Sequence, residues 1–290
     1  MPFRTLPAQA PMNPKADAYG AVALELSRSA ASRLRTVLDL SYGPDPAHML
    51  DLYLPADASL HGLPVLINLH GGGWTHGYKE WSGFNALPLV DLPCILVSID
   101  YRLAPIHRMP ASIEDTVDAL AWVYRNIALF GGDPDRIFIG GHSAGGHLAA
   151  SATLRRDLQA ARGLPAGVIK GCFPVSCSYN FDYQNPQPGS GEEKTLRTVL
   201  ASPADAKAMS PVNYVAGNKV PFFMSWGTED IERAIIRGGE MLTALKAQPG
   251  HVEHHVFDTF DHFEIHLDQI RPENVWVKKV RSWMGGELPR

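Results

Sequence analysis

Two periods of apolar and polar residues alternate along this chain. From Ala18 to Leu40 the apolar residues Val22, Leu24, Leu26, Leu34, Val37 and Leu38 follow helical spacing, which predicts one or two surface helices ahead of a core. His48 to Leu54 then alternates apolar with polar residues and stops at Pro55, the pattern of an antiparallel strand. Pro64 to Leu69 (PVLINL) and Cys94 to Ile99 (CILVSI) are short unbroken apolar runs, which suit parallel strands covered on both faces. Ser112 with Asp115 has the form of a capping box and predicts a helix through Tyr124, ended by Gly131-Gly132-Asp133-Pro134. Arg136 to Gly140 reads as a strand and Ala144 to Arg155 as a helix. Val168 to Val175, Pro221 to Trp226 and His251 to Phe257 add further strands, and Pro272 to Met284 a last helix. Strands alternating with helices predict an α/β fold built on a mostly parallel, doubly wound sheet of about eight strands with flanking helices.

The stretch Ser178 to Val215 breaks this rhythm with Asn, Pro, Gly and Ser, and is expected to form a small cap over a site. The expected organisation is therefore a helical segment over 1–40, packing on the core or cap, and an α/β domain over 41–290 with 178–215 as its insert. A chain of 290 residues accommodates one large domain of this kind. With 45% hydrophobic and 19% charged residues it has the balance of a soluble globular enzyme. A net charge of -4 gives no electrostatic reason for nucleic acid or an anionic membrane as partner. No run of roughly 18 uncharged apolar residues is present to span a bilayer, and the N-terminal stretch lacks the apolar core of a secretory signal. Cys94, Cys172 and Cys177 have no metal-ligand spacing and read as reduced structural thiols in the cytoplasm.

The candidate chemistry starts at Gly141-His142-Ser143-Ala144-Gly145, between a strand and a helix. A serine in so sharp a turn needs small neighbours two residues away, and the turn lifts its hydroxyl clear of the sheet as a nucleophile. His70-Gly71-Gly72-Gly73-Trp74 ends the strand Pro64 to Leu69. Its glycines suit a loop whose backbone N–H groups face a substrate oxygen, with Gly72, Gly73 and Ala144 as oxyanion donors. A serine nucleophile needs a base, and the base needs a carboxylate to orient it. In the order expected, Asp230 follows the strand Pro221 to Trp226, with Glu229 as competitor, and His262 follows the strand His251 to Phe257. His70, His142 and His147 are expected in structural roles, and His266 at the surface or in support of the base. Trp74, Tyr78, Trp81 and Phe263 are candidate pocket residues, with Phe181 and Tyr183 as further ones.

Together HGGGW, DYRLAP (Asp100 to Pro105), GHSAGGH and the late DHF resemble the hormone-sensitive-lipase-like branch of the α/β hydrolases. The stretch YG…MLDLYLP (Tyr42 to Pro55) and DHFEI (Asp261 to Ile265) are similar to the arylformamidase type within it. The resemblance implies Ser143, Asp230 and His262 as a triad, Gly72, Gly73 and Ala144 as the oxyanion hole, and neither metal nor organic cofactor. It implies a small-molecule ester substrate, with an arylformamide as the alternative. Gly73 stands where the arylformamidase pattern has an aromatic residue, and IERAIIRGGEM after Asp230 departs from that group's wording. The rival class is a catalytically inactive binding module on the same fold, against which all the triad candidates being present argues. The outer helices offer faces for a homodimer.

Overall fold

A computed structural model describes residues 3–89 and 92–289. Eight strands form one sheet in the order β1-β2-β4-β3-β5-β6-β7-β8. They are β1 (Arg35–Ser41), β2 (Met49–Leu54), β3 (Leu63–Leu69), β4 (Ile95–Ile99), β5 (Gly132–His142), β6 (Ile169–Val175), β7 (Phe222–Glu229) and β8 (Val252–Asp261). The pairs β1/β2 and β2/β4 are antiparallel, and every other pair is parallel. The helices are α1 (Pro14–Arg33), α2 (Ala111–Asn126), α3 (Ala144–Leu154), α4 (Arg156–Ala161), α5 (Gly191–Lys194), α6 (Glu232–Lys246), α7 (Glu264–Leu267) and α8 (Val275–Met284).

The alternation of side chains along a strand divides the core into two layers. Val65, Ile67 and Leu69 of β3 pack on one face with Ile113, Val117 and Leu120 of α2 and Leu148 of α3. Leu66 points to the other face, joining Phe138, Phe173 and the α8 residues Trp276, Val280 and Trp283. Helix α3 (AGGHLAASATL) is buried along its whole length, and its run of small residues lets its backbone lie close to the sheet. The strand order reverses direction at β3, which sits between β4 and β5. At such a switch point the loops leaving the carboxyl ends of neighbouring strands diverge and leave a crevice.

Three local expectations are corrected. The segment Leu34 to Leu40 is not helical. It forms β1, whose register shifts between Val37 and Leu40 where Asp39 takes a φ of 58°, and this bulge breaks the alternation that marks a strand. The first helix starts at Pro14 rather than Ala18, because Asn13 caps it by accepting from Ala16 N–H and Pro14 occupies its first turn. It lies at the surface as expected and buries one face, with Ala16, Tyr19, Ala23 and Ala30 inward and Val22 and Arg28 outward. Ser112 and Asp115 make no capping box. Helix α2 follows Pro110 without a side-chain cap, and Asp115 is buried beneath Arg102 and His48, which both bond it. The segment 178–215 contains α5 and several single helical turns, and buries its own Phe181.

Glycine requirements at the β5–α3 turn are steric. A Cβ on Gly145 would lie 2.2 Å from the Leu69 carbonyl oxygen, and one on Gly141 would lie 2.6 Å from the Gly145 carbonyl carbon. Gly239, in the middle of α6, has no atom within 4 Å of its Cβ position. Urea unfolding should therefore show Gly145→Ala to cost about 1–3 kcal/mol or more by overpacking. The same measurement on Gly239→Ala should show a gain of about 0.5–1 kcal/mol from helix propensity.

Candidate active site

The turn between β5 and α3 holds Ser143 at φ 54° and ψ -118°, a left-handed conformation that is strained for a residue with a side chain. The strain is borne by packing on both sides: Ser143 N–H donates to the Val175 carbonyl at 2.8 Å, and the flanking glycines abut the end of β3. Its hydroxyl thus stands at the head of α3, where Ala144 is the first helical residue and its N–H has no partner in the preceding turn.

His262 Nε2 lies 2.8 Å from Ser143 Oγ, and His262 Nδ1 lies 2.7 Å from Asp230 Oδ1. The donation of Nδ1–H to the carboxylate leaves Nε2 free to accept the serine proton. Asp230 also accepts from Ile231 N–H at 2.7 Å. Burial pushes the Asp230 carboxyl up, but the hydrogen bond and charge of His262 and the Ile231 N–H outweigh it and hold it below the ordinary range. Glu229, the competing acid, is exposed at the end of β7 and does not meet His262. Ser143, His262 and Asp230 come from the ends of three strands, brought together only by the sheet.

The glycine loop after β3 runs beside Ser143. A Cβ on Gly71 would sit 3.2 Å from Ser143 Cβ, and Gly72, at φ 116°, has the His76 carbonyl oxygen 2.0 Å from its Cβ position. His70 anchors the loop. Its Nδ1–H donates to the Gly71 carbonyl at 2.6 Å, and its ring stacks on Tyr101 at 4.4 Å. Burial pushes the His70 pKa down to about 4, so the ring is neutral. Farther along, the Lys79 ammonium is fully buried between Asp51 (2.9 Å), Glu80 (2.6 Å) and Asp39 (2.8 Å), while Asp100 accepts from Lys79 N–H at 2.6 Å and from Arg4. Burial pushes the Asp51 carboxyl up to about 6 and the Asp100 carboxyl up to about 7 against these cations. Losing either partner of such a buried pair is costly, so the cluster ties the end of the glycine loop to β2, β4 and the N-terminal segment.

A cavity of about 220 Å³ opens on Ser143, Gly72, Gly73, His142 and His262. Of the expected pocket residues, Trp81 and Phe263 line it. Trp74 and Tyr78 do not. Trp74 is buried in the core, edge-on to His147 and Phe181, and Tyr78 lines a separate cavity and donates its hydroxyl proton to the Pro7 carbonyl. Phe181 is core beside Trp74, and Tyr183 bonds Ser178, so neither reaches the cavity. The remaining walls are Met12, Asn13, Ala16 and Tyr19 at the start of α1, with Ile231 and Arg233 at the start of α6. The Asn13-Pro14 helix start was the available signal for the first group; nothing local marks Ile231 or Arg233.

A family model described as BD-FAE matches residues 50–236, more than half of the chain. The chain belongs to the BD-FAE family. Esterase LipC of Mycobacterium tuberculosis is 34% identical over 76% of this chain and 59% of its own length. The isoprenylcysteine alpha-carbonyl methylesterase ICME of Arabidopsis thaliana is 37% identical over 48% of this chain and 33% of its own. The chain thus spans between a third and three-fifths of these curated relatives. A solved esterase from Pyrobaculum calidifontis superposes with a TM-score of 0.77 at 24% identity, covering 96% of this chain and 94% of that one. Esterase B from Lactobacillus rhamnosis gives 0.78 at 19%, covering 94% of each. These likenesses establish the α/β-hydrolase fold that the motifs implied. Among the described residues of this BD-FAE member, no helix is long and apolar enough to cross a membrane.

Behind His262, the BD-FAE chain carries a buried polar relay. His142 Nε2–H donates to the His262 carbonyl at 2.6 Å, and its ring stacks on His266 at 4.8 Å with planes 5° apart. His266 is buried rather than superficial: its Nε2–H donates to Asn85 Oδ1 (3.2 Å), and its Nδ1 accepts from the Tyr19 hydroxyl (2.8 Å). His147, likewise internal, donates to the Met209 carbonyl at 2.9 Å. Burial lowers all three, His266 to about 3, His147 to about 4 and His142 well below its ordinary value, with His266 and His262 adding to the last. In the unfolded chain a histidine binds its proton near pH 6.5. Between that pH and its folded pKa the unfolded state therefore binds more protons than the folded state, and stability falls as pH falls. The stability lost between pH 7 and pH 5 should be smaller by about 2 kcal/mol in His266→Gln than in the parent protein, measured by denaturant unfolding at each pH. Equal losses in the two proteins would mean that the buried ring is not held neutral.

Proposed function

We propose that this chain hydrolyses carboxylic esters of small acyl or aryl substrates through an acyl-enzyme on Ser143. The observation that carries the reading is the unbroken chain from Asp230 to His262 to Ser143, at 2.7 and 2.8 Å, ending on a cavity edged by Gly72 and Gly73. His262 takes the proton of Ser143 as the oxygen attacks the ester carbonyl. The oxygen that gains charge is met by the N–H groups of Gly72, Gly73 and Ala144, and the dipole of α3 favours negative charge at the same end. His262 then gives its proton to the departing alkoxide, and water repeats the sequence on the acyl-enzyme. Asp230 stays ionised and stabilises the imidazolium that forms in each step.

The named relatives are esterases, which favours an ester over an arylformamide as the bond cleaved. In the same reading, residues 1–40 belong to the catalytic unit as a wall of the substrate pocket, and 178–215 is a cap beside it. The three cysteines are unpaired and buried, in keeping with the reducing cytoplasm.

Ser143→Ala should reduce turnover of p-nitrophenyl acetate by about 10⁴-fold or more, while far-UV circular dichroism and the unfolding midpoint stay near the parent values. His262→Asn should match it. Retained turnover in the folded Ser143→Ala protein would overturn the assignment, as would failure of the parent protein to react with a fluorophosphonate.

A further inference from the structure

One cation lines the cavity above Ser143. Arg233 follows Asp230 by three residues, in the first turn of α6, and is half-buried there. Among the described residues it makes no hydrogen bond and no ion pair. This sets it apart from the basic side chains nearby. Arg237, one turn later, is paired with Glu240 at 2.6 Å, and Lys15 with Asp261 at 2.5 Å. No carboxylate lines the cavity with it, and Asp230 itself is committed to His262. The guanidinium rests against the cap segment, where Gly191 leaves it room: a Cβ on Gly191 would come within 2.1 Å of Nη1. Asn13 apart, the walls away from Ser143 and the glycine loop are apolar or aromatic, with Trp81 and Phe263 both packed around Tyr19.

A half-buried arginine with no hydrogen bond or ion pair among the described residues has lost part of its hydration without a charged partner, and a carboxylate is the group whose planar geometry it pairs with best. We infer that Arg233 selects substrates that carry a carboxylate in addition to the scissile ester. Trp81 and Phe263 take the hydrocarbon portion, Arg233 holds the anionic end, and Ser143 meets the carbonyl between them. This rests on the hydrolase reading above, which it deepens by a substrate class. The carboxylate can reside on the acyl or on the alcohol side of the ester, and the two are told apart by experiment.

The test compares kcat/KM for matched pairs: mono-p-nitrophenyl glutarate against p-nitrophenyl butyrate for the acyl side, and m-acetoxybenzoate against phenyl acetate for the alcohol side. In Arg233→Gln the anionic-to-neutral ratio should fall about ten- to a hundredfold in one pair, mainly through KM, with Arg233→Lys keeping part of it. A ratio unchanged in both pairs overturns the inference. A second measurement does not depend on turnover. Calorimetry on Ser143→Ala protein should show phenylacetate binding more tightly than phenylacetamide, with the preference gone when Arg233→Gln is added. If phenylacetate binding depends on Arg233 but no ester is cleaved, the hydrolase reading fails and the anion site stands. If esters are cleaved without regard to charge and phenylacetate binds no better than the amide, the anion site fails and the hydrolase reading stands.

Discussion

The contact on which the site depends is between the end of β3 and the turn that carries Ser143. The Leu69 carbonyl oxygen occupies the place where a side chain on Gly145 would begin, and Gly71 passes within van der Waals reach of Ser143. Only a backbone without side chains at these points lets the nucleophile's turn and the glycine loop lie edge to edge. That closeness does two things at once. It holds Ser143 in a left-handed conformation, and it brings the glycine loop beside the Ser143 side chain. Both follow from β3 and β5 being parallel neighbours at the point where the sheet reverses its order.

Around that contact the molecule spends buried polar groups on position. On one side the Lys79 ammonium and its acidic neighbours pin the residues after the glycine loop, with Arg4 reaching in from the N-terminal segment. On the other, Tyr19, His266, Asn85 and Gln269 form a hydrogen-bonded series whose stacked partner His142 grips the backbone of His262. Unpaired, such groups would each cost free energy in the core; paired, they specify one arrangement. The buried face of the N-terminal helix takes part in both the pocket wall and the relay through Tyr19.

The residues proposed to do the chemistry and the residue proposed to choose the substrate stand on different grounds. Ser143, His262 and Asp230 are linked by hydrogen bonds within the chain, so their relation is complete without a ligand. Arg233 is marked by the opposite property: among the described residues it makes no hydrogen bond or ion pair, inside a recess built mainly from hydrocarbon. A site for turnover is preorganised; a site for recognition leaves one interaction to be made by the molecule that arrives.

Much of this was legible in the linear chain because it depends on local rules. Strand and helix alternate with distinct periods, glycines mark the tight turns on either side of Ser143, and the order of nucleophile, acid and base follows the order of the strands that carry them. Asp230 and His262 could be named because each follows a segment that reads as a strand. What the chain could not disclose were relations between segments distant in sequence. The bulge at Asp39 disguised β1 as helix, since only pairing with β2 shows the strand. Trp74 and Tyr78 stand beside Trp81 in sequence and look equally suited to a pocket, yet the turn at Gly72 and Gly73 sends Trp74 into the core and leaves Tyr78 against Pro7. Met12, Tyr19 and Arg233 line the cavity because α1 and α6 converge on it from opposite parts of the chain. Local sequence dictates which conformations a segment prefers, whereas which side chains share a volume is settled by packing across the sheet.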